Sequence, residues 1–112
     1  DYKEDNYPNT KHYAILKNES VVSALTIIER TTNKKRSAQL RGMFTVQKEL
    51  KKGYGSLLID KVSFKLKKEN MSLIWCNSRI NVIDFYKKNK FKEIGKTFSI
   101  NLLGDHKKLI RK

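Results

Sequence analysis

The feature that most constrains the fold of this chain is a change of period at Lys51-Lys52-Gly53-Tyr54-Gly55-Ser56. Upstream of it, β-branched and aromatic residues cluster in strand-like segments. HYAILK (12–17) and SVVSALTIIER (20–30), separated by Asn18-Glu19, predict a two-strand hairpin, and SAQLRGMFTVQ, which follows a polar turn over 31–36, predicts a third strand pairing back on the second. Downstream, Leu57, Leu58, Ile59, Val62 and Leu66 fall at helical spacing, with Lys61, Lys65, Lys67 and Lys68 on the other face, and predict a helix of about four turns ending near Asn70. SLIWC (72–76) reads as a short strand buried on both faces. A second helix is expected over about 79–88, with Ile80, Val82, Ile83 and Tyr86 inward, and extended structure from Phe91 to the end. Residues 1–11, which hold the only proline, read as an irregular lead-in. The order β-β-β-α-β-α-β-β over a single domain, 1–112, gives an α/β (α+β) class: a mixed, mainly antiparallel twisted sheet with helices packed on it.

Charge narrows the partners. The net charge is +14, from 25 Lys and Arg against 11 Asp and Glu, and such a chain seeks anions: nucleic acid, an acidic membrane surface or a phosphorylated small molecule. A nucleic-acid module calls for exposed aromatics interleaved with charge and for arginine, whereas here lysine dominates and Phe64, Phe85, Phe91 and Trp75 fall at core-like positions. A nucleic-acid partner is therefore the disfavoured alternative. The longest unbroken aliphatic run, 57–59, is far short of the roughly 20 residues that span a bilayer. A single cysteine, Cys76, makes no internal disulfide, fits a reducing cytoplasm, and with His12 and His106 forms no metal-ligand set. Buried flanks and the lack of a neighbouring histidine also disfavour Cys76 as a nucleophile.

The basic turn at 51–56 carries the most specific chemistry. Gly53 and Gly55 allow a tight turn and close approach of backbone to a ligand, because neither has a Cβ. The free N–H groups of the following helix then converge with its dipole on an anion site, to which Lys51, Lys52 and the Ser56 hydroxyl add donors. This reads either as a pyrophosphate cradle or as a tight turn with a solvated basic face. Spacing excludes a P-loop, because Gly55 is followed by Ser56-Leu57, and excludes the dinucleotide fingerprint, because Leu58 stands where a third glycine is required.

Five segments in order, Leu40-Arg41-Gly42-Met43, Lys52-Gly53-Tyr54-Gly55-Ser56, Trp75-Cys76-Asn77-Ser78-Arg79, Phe85-Tyr86-Lys87-Lys88 and Gly104-Asp105-His106, make residues 12–112 resemble the GNAT superfamily of acyl-CoA-dependent N-acyltransferases. The resemblance is strongest to a bacterial subgroup with LRGM and WCNxR segments. It implies a GNAT-like acyl-CoA N-acyltransferase fold, acetyl-CoA as the acyl donor with no metal, and a primary amine as acceptor by direct attack. In that frame Met43, Phe44, Thr45 and Val46 line the pantetheine arm through backbone groups, one N–H polarising the thioester carbonyl. Lys51, Lys52, Gly53, Tyr54, Gly55 and Ser56 hold the pyrophosphate, Tyr86 faces the thioester sulfur as general acid, and Asn77 and Arg79 contact the cofactor.

The sequence departs from that family at three points. Leu50 replaces the usual Gln or Arg before the first glycine, and Lys90 replaces the Gly before Phe91, with Asn89 expected to take the left-handed capping conformation. The given sequence lacks the strand and two helices that precede the hairpin in relatives, and two expectations follow: either that N-terminal segment is absent from this sequence, or the acceptor site is open or completed by another subunit, as in a homodimer. For the amine's proton the candidates are Glu29 and Glu49, and His106, in the closing segment that reaches the acceptor side in relatives, is expected to orient the substrate. The positive field favours a neutral or anionic small amine over a polycation. An acyl-CoA-binding relative without activity is the remaining alternative.

Overall fold

The computed structural model describes residues 9–32, 34–71, 73–100 and 104–112, and the lead-in over 1–8 lies outside them. Chain order is β1 (Thr10–Lys17), β2 (Ser20–Thr32), β3 (Lys35–Thr45), α1 (Tyr54–Lys68), β4 (Ile74–Arg79), α2 (Ile83–Lys88), β5 (Lys92–Ile100) and β6 (Gly104–Arg111), with single 3₁₀ turns at Gln47–Glu49 and Ile80–Val82. The strands form one sheet in the order β1-β2-β3-β4-β6-β5, in which β3 and β4 run parallel and every other neighbouring pair is antiparallel. The mixed, mainly antiparallel sheet expected from the sequence is thus found.

Local chemistry accounts for the elements. Asn18 and Glu19 both take positive φ, 51° and 68°, between the closing pair Lys17 and Ser20, which is the turn whose twist matches a two-residue hairpin. Leu25 and Ile27 of β2 alternate onto one face of the sheet, where Ala38 and Leu40 of β3, Ile74 and Cys76 of β4 and Leu109 of β6 extend an apolar floor. The inward stripe of α1, Leu58, Ile59, Val62 and Leu66, covers that floor, and Ile83 and Phe91 join the same core from α2 and its exit.

Several expectations need correction. β1 begins at Thr10, inside the segment read as irregular lead-in. β4 runs to Arg79, so Asn77 and Arg79 lie within a strand and not beyond its end, and α2 proper starts only at Ile83. Of the aromatics assigned to the core, Phe91 is buried at 3% exposure, whereas Phe64 is 63% exposed with the Lys68 ammonium 4.5 Å above its ring. Helical spacing could not separate Phe64 from the buried stripe beside it. Asn89 keeps a negative φ of −102°, and the left-handed residue is Lys90, at φ 72°.

Two features of β3 shape the site. Its ladder to β4 comprises only Ala38 with Ile74 and Gln39 with Trp75, so beyond them the two parallel strands diverge. In addition, Thr26 pairs with Arg41 and Ala24 with Phe44, which leaves Gly42 and Met43 opposite Leu25 alone. This is a bulge with Gly42 at φ 60°, where a Cβ would meet only Thr26 Oγ1 at 3.8 Å, so conformation and not space calls for glycine. Such a bulge bends the bulged strand, here at the end where β3 leaves β4.

Candidate active site at the splayed strands

The notch between β3 and β4 opens toward the N-terminus of α1. Val46 N–H donates to Val22 O at 2.8 Å, which continues the register of β3 with β2. Because backbone groups alternate sides along a strand, Phe44 also faces β2, and the N–H and C=O of Thr45 turn to the notch. Backbone donation to a ligand there falls to Thr45, because the Val46 N–H is already used by Val22 O.

The turn ahead of α1 uses its two glycines for different ends. Gly53 caps the helix at φ 84°, with open space where a Cβ would stand. Gly55 has no such backbone demand. A Cβ on it would lie 3.1 Å from both Met43 Cε and Phe85 Cζ, so this glycine lets β3, α1 and α2 converge. The first helical hydrogen bond runs from Leu57 N–H to Gly53 O at 3.0 Å, which leaves the N–H groups of Tyr54, Gly55 and Ser56 ahead of it to face an anion.

In front of these groups lies a cavity of about 360 Å³ whose walls include Lys51, Gly53, Ser56, Leu50, Phe85 and Lys88. A second, of about 290 Å³, is lined by Met43, Phe44, Val82 and Tyr86. Both share Thr45, Leu50 and Phe85 as walls, so a polar end at the helix N-terminus leads past Thr45 to an apolar end at Tyr86. A molecule with phosphates at one end and a narrow, largely apolar arm fits this shape. Lys88 escaped the sequence reading, because a lysine in a lysine-rich helix carries no signal of its own. Leu50, half exposed, forms the rim between the two cavities.

The lysines of the loop are not equivalent. Glu49, with its side chain only 7% exposed, accepts from Lys52 Nζ at 2.9 Å and from Lys17 Nζ at 3.4 Å. The hydrogen bond from Lys52 is the main reason its carboxyl is held below the usual range, with Lys17 adding to it. Glu49 is therefore a poor proton acceptor, and Lys52 is engaged with it. Lys51, exposed at φ 65°, has no ion-pair partner among the described residues.

Tyr86 is half-buried, edge-on to Phe85 and to Phe91 with ring centroids 5.3 Å apart in each pair. Burial, together with Cys76 nearby, pushes its phenol up to about 12, so it stays protonated at neutral pH. Cys76 is itself buried, and burial raises its thiol to about 12.

The other sequence candidates line neither cavity. Glu29 pairs with Ala38 at the far end of the sheet, six positions along β2 from Ser23, or roughly 20 Å at 3.3 Å per residue. There it accepts from Arg36 Nε at 3.0 Å while Arg36 Nη1 donates to Glu69 O at 3.1 Å, tying the hairpin to the end of α1. Asn77 and Arg79 alternate with the inward Cys76 and Ser78, so they face the side of the sheet away from the helices, and neither lines the two cavities. His106 pairs with Arg79 on that same outer face, buried beside Phe98, and its Nδ1 lies 2.9 Å from Gly104 O. A carbonyl only accepts, so Nδ1 carries the proton and the neutral ring keeps its lone pair on Nε2.

Residues 1–91 match the model of the acetyltransferase (GNAT) family. The chain belongs to the GNAT acetyltransferase family. It is an acyltransferase, and the notch, the cradle and the mixed sheet are this chain's version of the GNAT fold. Among similar proteins, the uncharacterized N-acetyltransferase YitI of Bacillus subtilis (strain 168) is 29% identical over 108 residues, covering 94% of this chain and 72% of YitI. Solved structures of the same fold include Escherichia coli ElaA, with TM-score 0.79, 12% identity and coverage of 99% of this chain and 74% of that one. An aminoglycoside 6′-N-acetyltransferase complexed with coenzyme A has TM-score 0.80, 13% identity and coverage of 97% and 75%.

Proposed function

We propose that this GNAT domain transfers the acetyl group of acetyl-CoA to a primary amine of a small molecule by direct attack. The observation that carries the reading is the continuous path from the free N–H groups at Tyr54–Ser56, past the notch-facing backbone of Thr45, to the protonated phenol of Tyr86. When bound, acetyl-CoA supplies an activated acyl thioester. The cradle N–H groups, Lys51 and Lys88 hold its phosphates, and Thr45 N–H donates to the thioester carbonyl as oxyanion charge builds there.

As the amine nitrogen bonds to the acetyl carbon, the carbon–sulfur bond breaks and its electron pair goes to sulfur. Tyr86 then stabilises the departing thiolate mainly by hydrogen bonding. Against an ordinary thiol near 8.5, full transfer of a proton from a phenol near 12 runs uphill by about 5 kcal/mol at 1.36 kcal/mol per pKa unit. With Glu29 distant and Glu49 ion-paired, His106 Nε2 is the group we assign to receive the amine proton, directly or through water. The outer face near it carries Arg79 and Lys108, which favours a neutral or acidic amine over a polycation.

Acetyl-CoA should raise the melting temperature, and Gly55→Glu should remove that shift by placing a carboxylate at the cradle. A shift produced by random DNA and not by acetyl-CoA would favour a nucleic-acid module and overturn the reading.

A further inference from the structure

α2 has only six residues, too few to hold a helix by propagation alone, yet it carries Tyr86. Its C-terminal carbonyls are held one by one. Asn89 Nδ2 donates to Phe85 O at 2.8 Å, and the N–H groups of Asn89 and Phe91 both donate to Tyr86 O, at 2.9 and 3.1 Å. Asn89 O in turn accepts from Arg111 Nη1 at 3.0 Å, a contact buried in the protein, while Arg111 Nη2 reaches Asp60 Oδ1 of α1 at 3.2 Å. Asn89 is 7% and Arg111 8% exposed, so neither side chain is serving solubility. The chain leaves this helix through Lys90 at φ 72°, a conformation that disfavours any residue with a Cβ, so the termination depends on its surroundings.

We propose that Asn89 and Arg111 are positioning residues for Tyr86: the clamp from α1 through Arg111 to the C-terminus of α2 fixes where the Tyr86 hydroxyl stands against the notch. The inference rests on the hydrogen-bonding role proposed for Tyr86. Deleting the Asn89 carboxamide frees Phe85 O, and deleting the Arg111 guanidinium strands the buried Asn89 O. In each case the short helix can tilt about its Ile83 anchor, carrying Phe85, Tyr86 and Lys88 with it, while the N–H groups at the start of α1 stay in place.

The test compares Asn89→Ala and Arg111→Met with wild type, in Tyr86 and Tyr86→Phe backgrounds, with turnover and acetyl-CoA affinity measured separately. Loss of one such buried hydrogen bond is expected to lower kcat by about 5-fold to 100-fold. Acetyl-CoA affinity should fall less than kcat does, because the N–H groups of α1 stay in place while Phe85 and Lys88 move with α2, and the kcat effect should largely vanish in Tyr86→Phe, because the two changes act through one group. Lys90→Gly, which removes the conformational demand at the helix exit, should recover part of the lost kcat in Asn89→Ala.

A readout independent of turnover is fluorine NMR of protein labelled with fluorotyrosine, the Tyr86 resonance being assigned by its loss in Tyr86→Phe. The clamp predicts that this resonance shifts or broadens in both clamp variants. An unmoved resonance, or the same fold-loss of kcat in both backgrounds, would overturn the inference. A Tyr86→Phe enzyme with wild-type turnover would refute the hydroxyl's role, and the resonance would still report whether the clamp fixes the ring.

Discussion

Replacing Gly53 by alanine separates the conformational reason for this glycine from the spatial one. At φ 84° an alanine carries the left-handed penalty of about 1–2 kcal/mol, and its Cβ meets no protein atom within 4 Å, so the penalty stands unmixed with a clash. The size is bounded by the chain itself: Asn18, Glu19, Lys34, Lys51, Asn70 and Lys90 all sit at positive φ, so one more such residue is survivable. For a domain of this length about 4–6 °C of melting temperature goes with each kcal/mol, so Gly53→Ala should melt about 4–12 °C lower and Gly53→Asn should fall between, since asparagine visits this region at less cost. Relief of the strain would rotate the peptide between residues 53 and 54 and turn the Tyr54 N–H from the cradle, so acetyl-CoA affinity should drop in the same order. Calorimetric melting and titration of the three proteins provide the assay. An alanine variant as stable as wild type, or more stable than the asparagine variant, would refute the conformational argument.

Glu29→Gln removes a partly exposed ion pair to Arg36, so turnover should be unchanged and stability should fall only slightly; a large loss of kcat would return Glu29 to the catalytic candidates. Burial raises the Cys76 thiol and the Tyr86 phenol in the folded protein, so the neutral forms stabilise the fold fully below the unfolded values of 9.0 and 10.0, and that contribution is lost as pH climbs toward about 12. Urea unfolding at stepped alkaline pH should show this loss flattened in Cys76→Ala, and a thiol reagent should label Cys76 only on unfolding; rapid labelling of the folded protein would contradict its burial. With His106→Gln, turnover should fall at saturating acetyl-CoA, whereas wild-type turnover would remove His106 as proton acceptor.

The sequence made the element order legible because each element is set by local periodicity, and the basic Gly-x-Gly turn legible as a turn into an apolar helix, because the period changes there. The notch was not legible. It depends on how many residues of β3 pair with β4, and on a bulge at Gly42 that only the register reveals. The same limit explains Glu29, whose distance from the site follows from strand pairing, and Asn77 and Arg79, whose side of the sheet changed once β4 ran three residues further than its apolar core suggested. Asn89 and Arg111 lie 22 positions apart, and their contact requires β6 to insert between β4 and β5.

The most direct measurement is mass spectrometry of a panel of primary amines incubated with the protein and acetyl-CoA, with free CoA quantified in parallel. Acetylated amine and CoA in equal amounts, with neutral or acidic amines ahead of polyamines and turnover reduced about 10-fold to 100-fold in Tyr86→Phe, is the result expected from losing a hydrogen bond to a charged group. Binding of acetyl-CoA with no acetylated product from any amine would contradict the transfer reaction and leave a binding domain in its place.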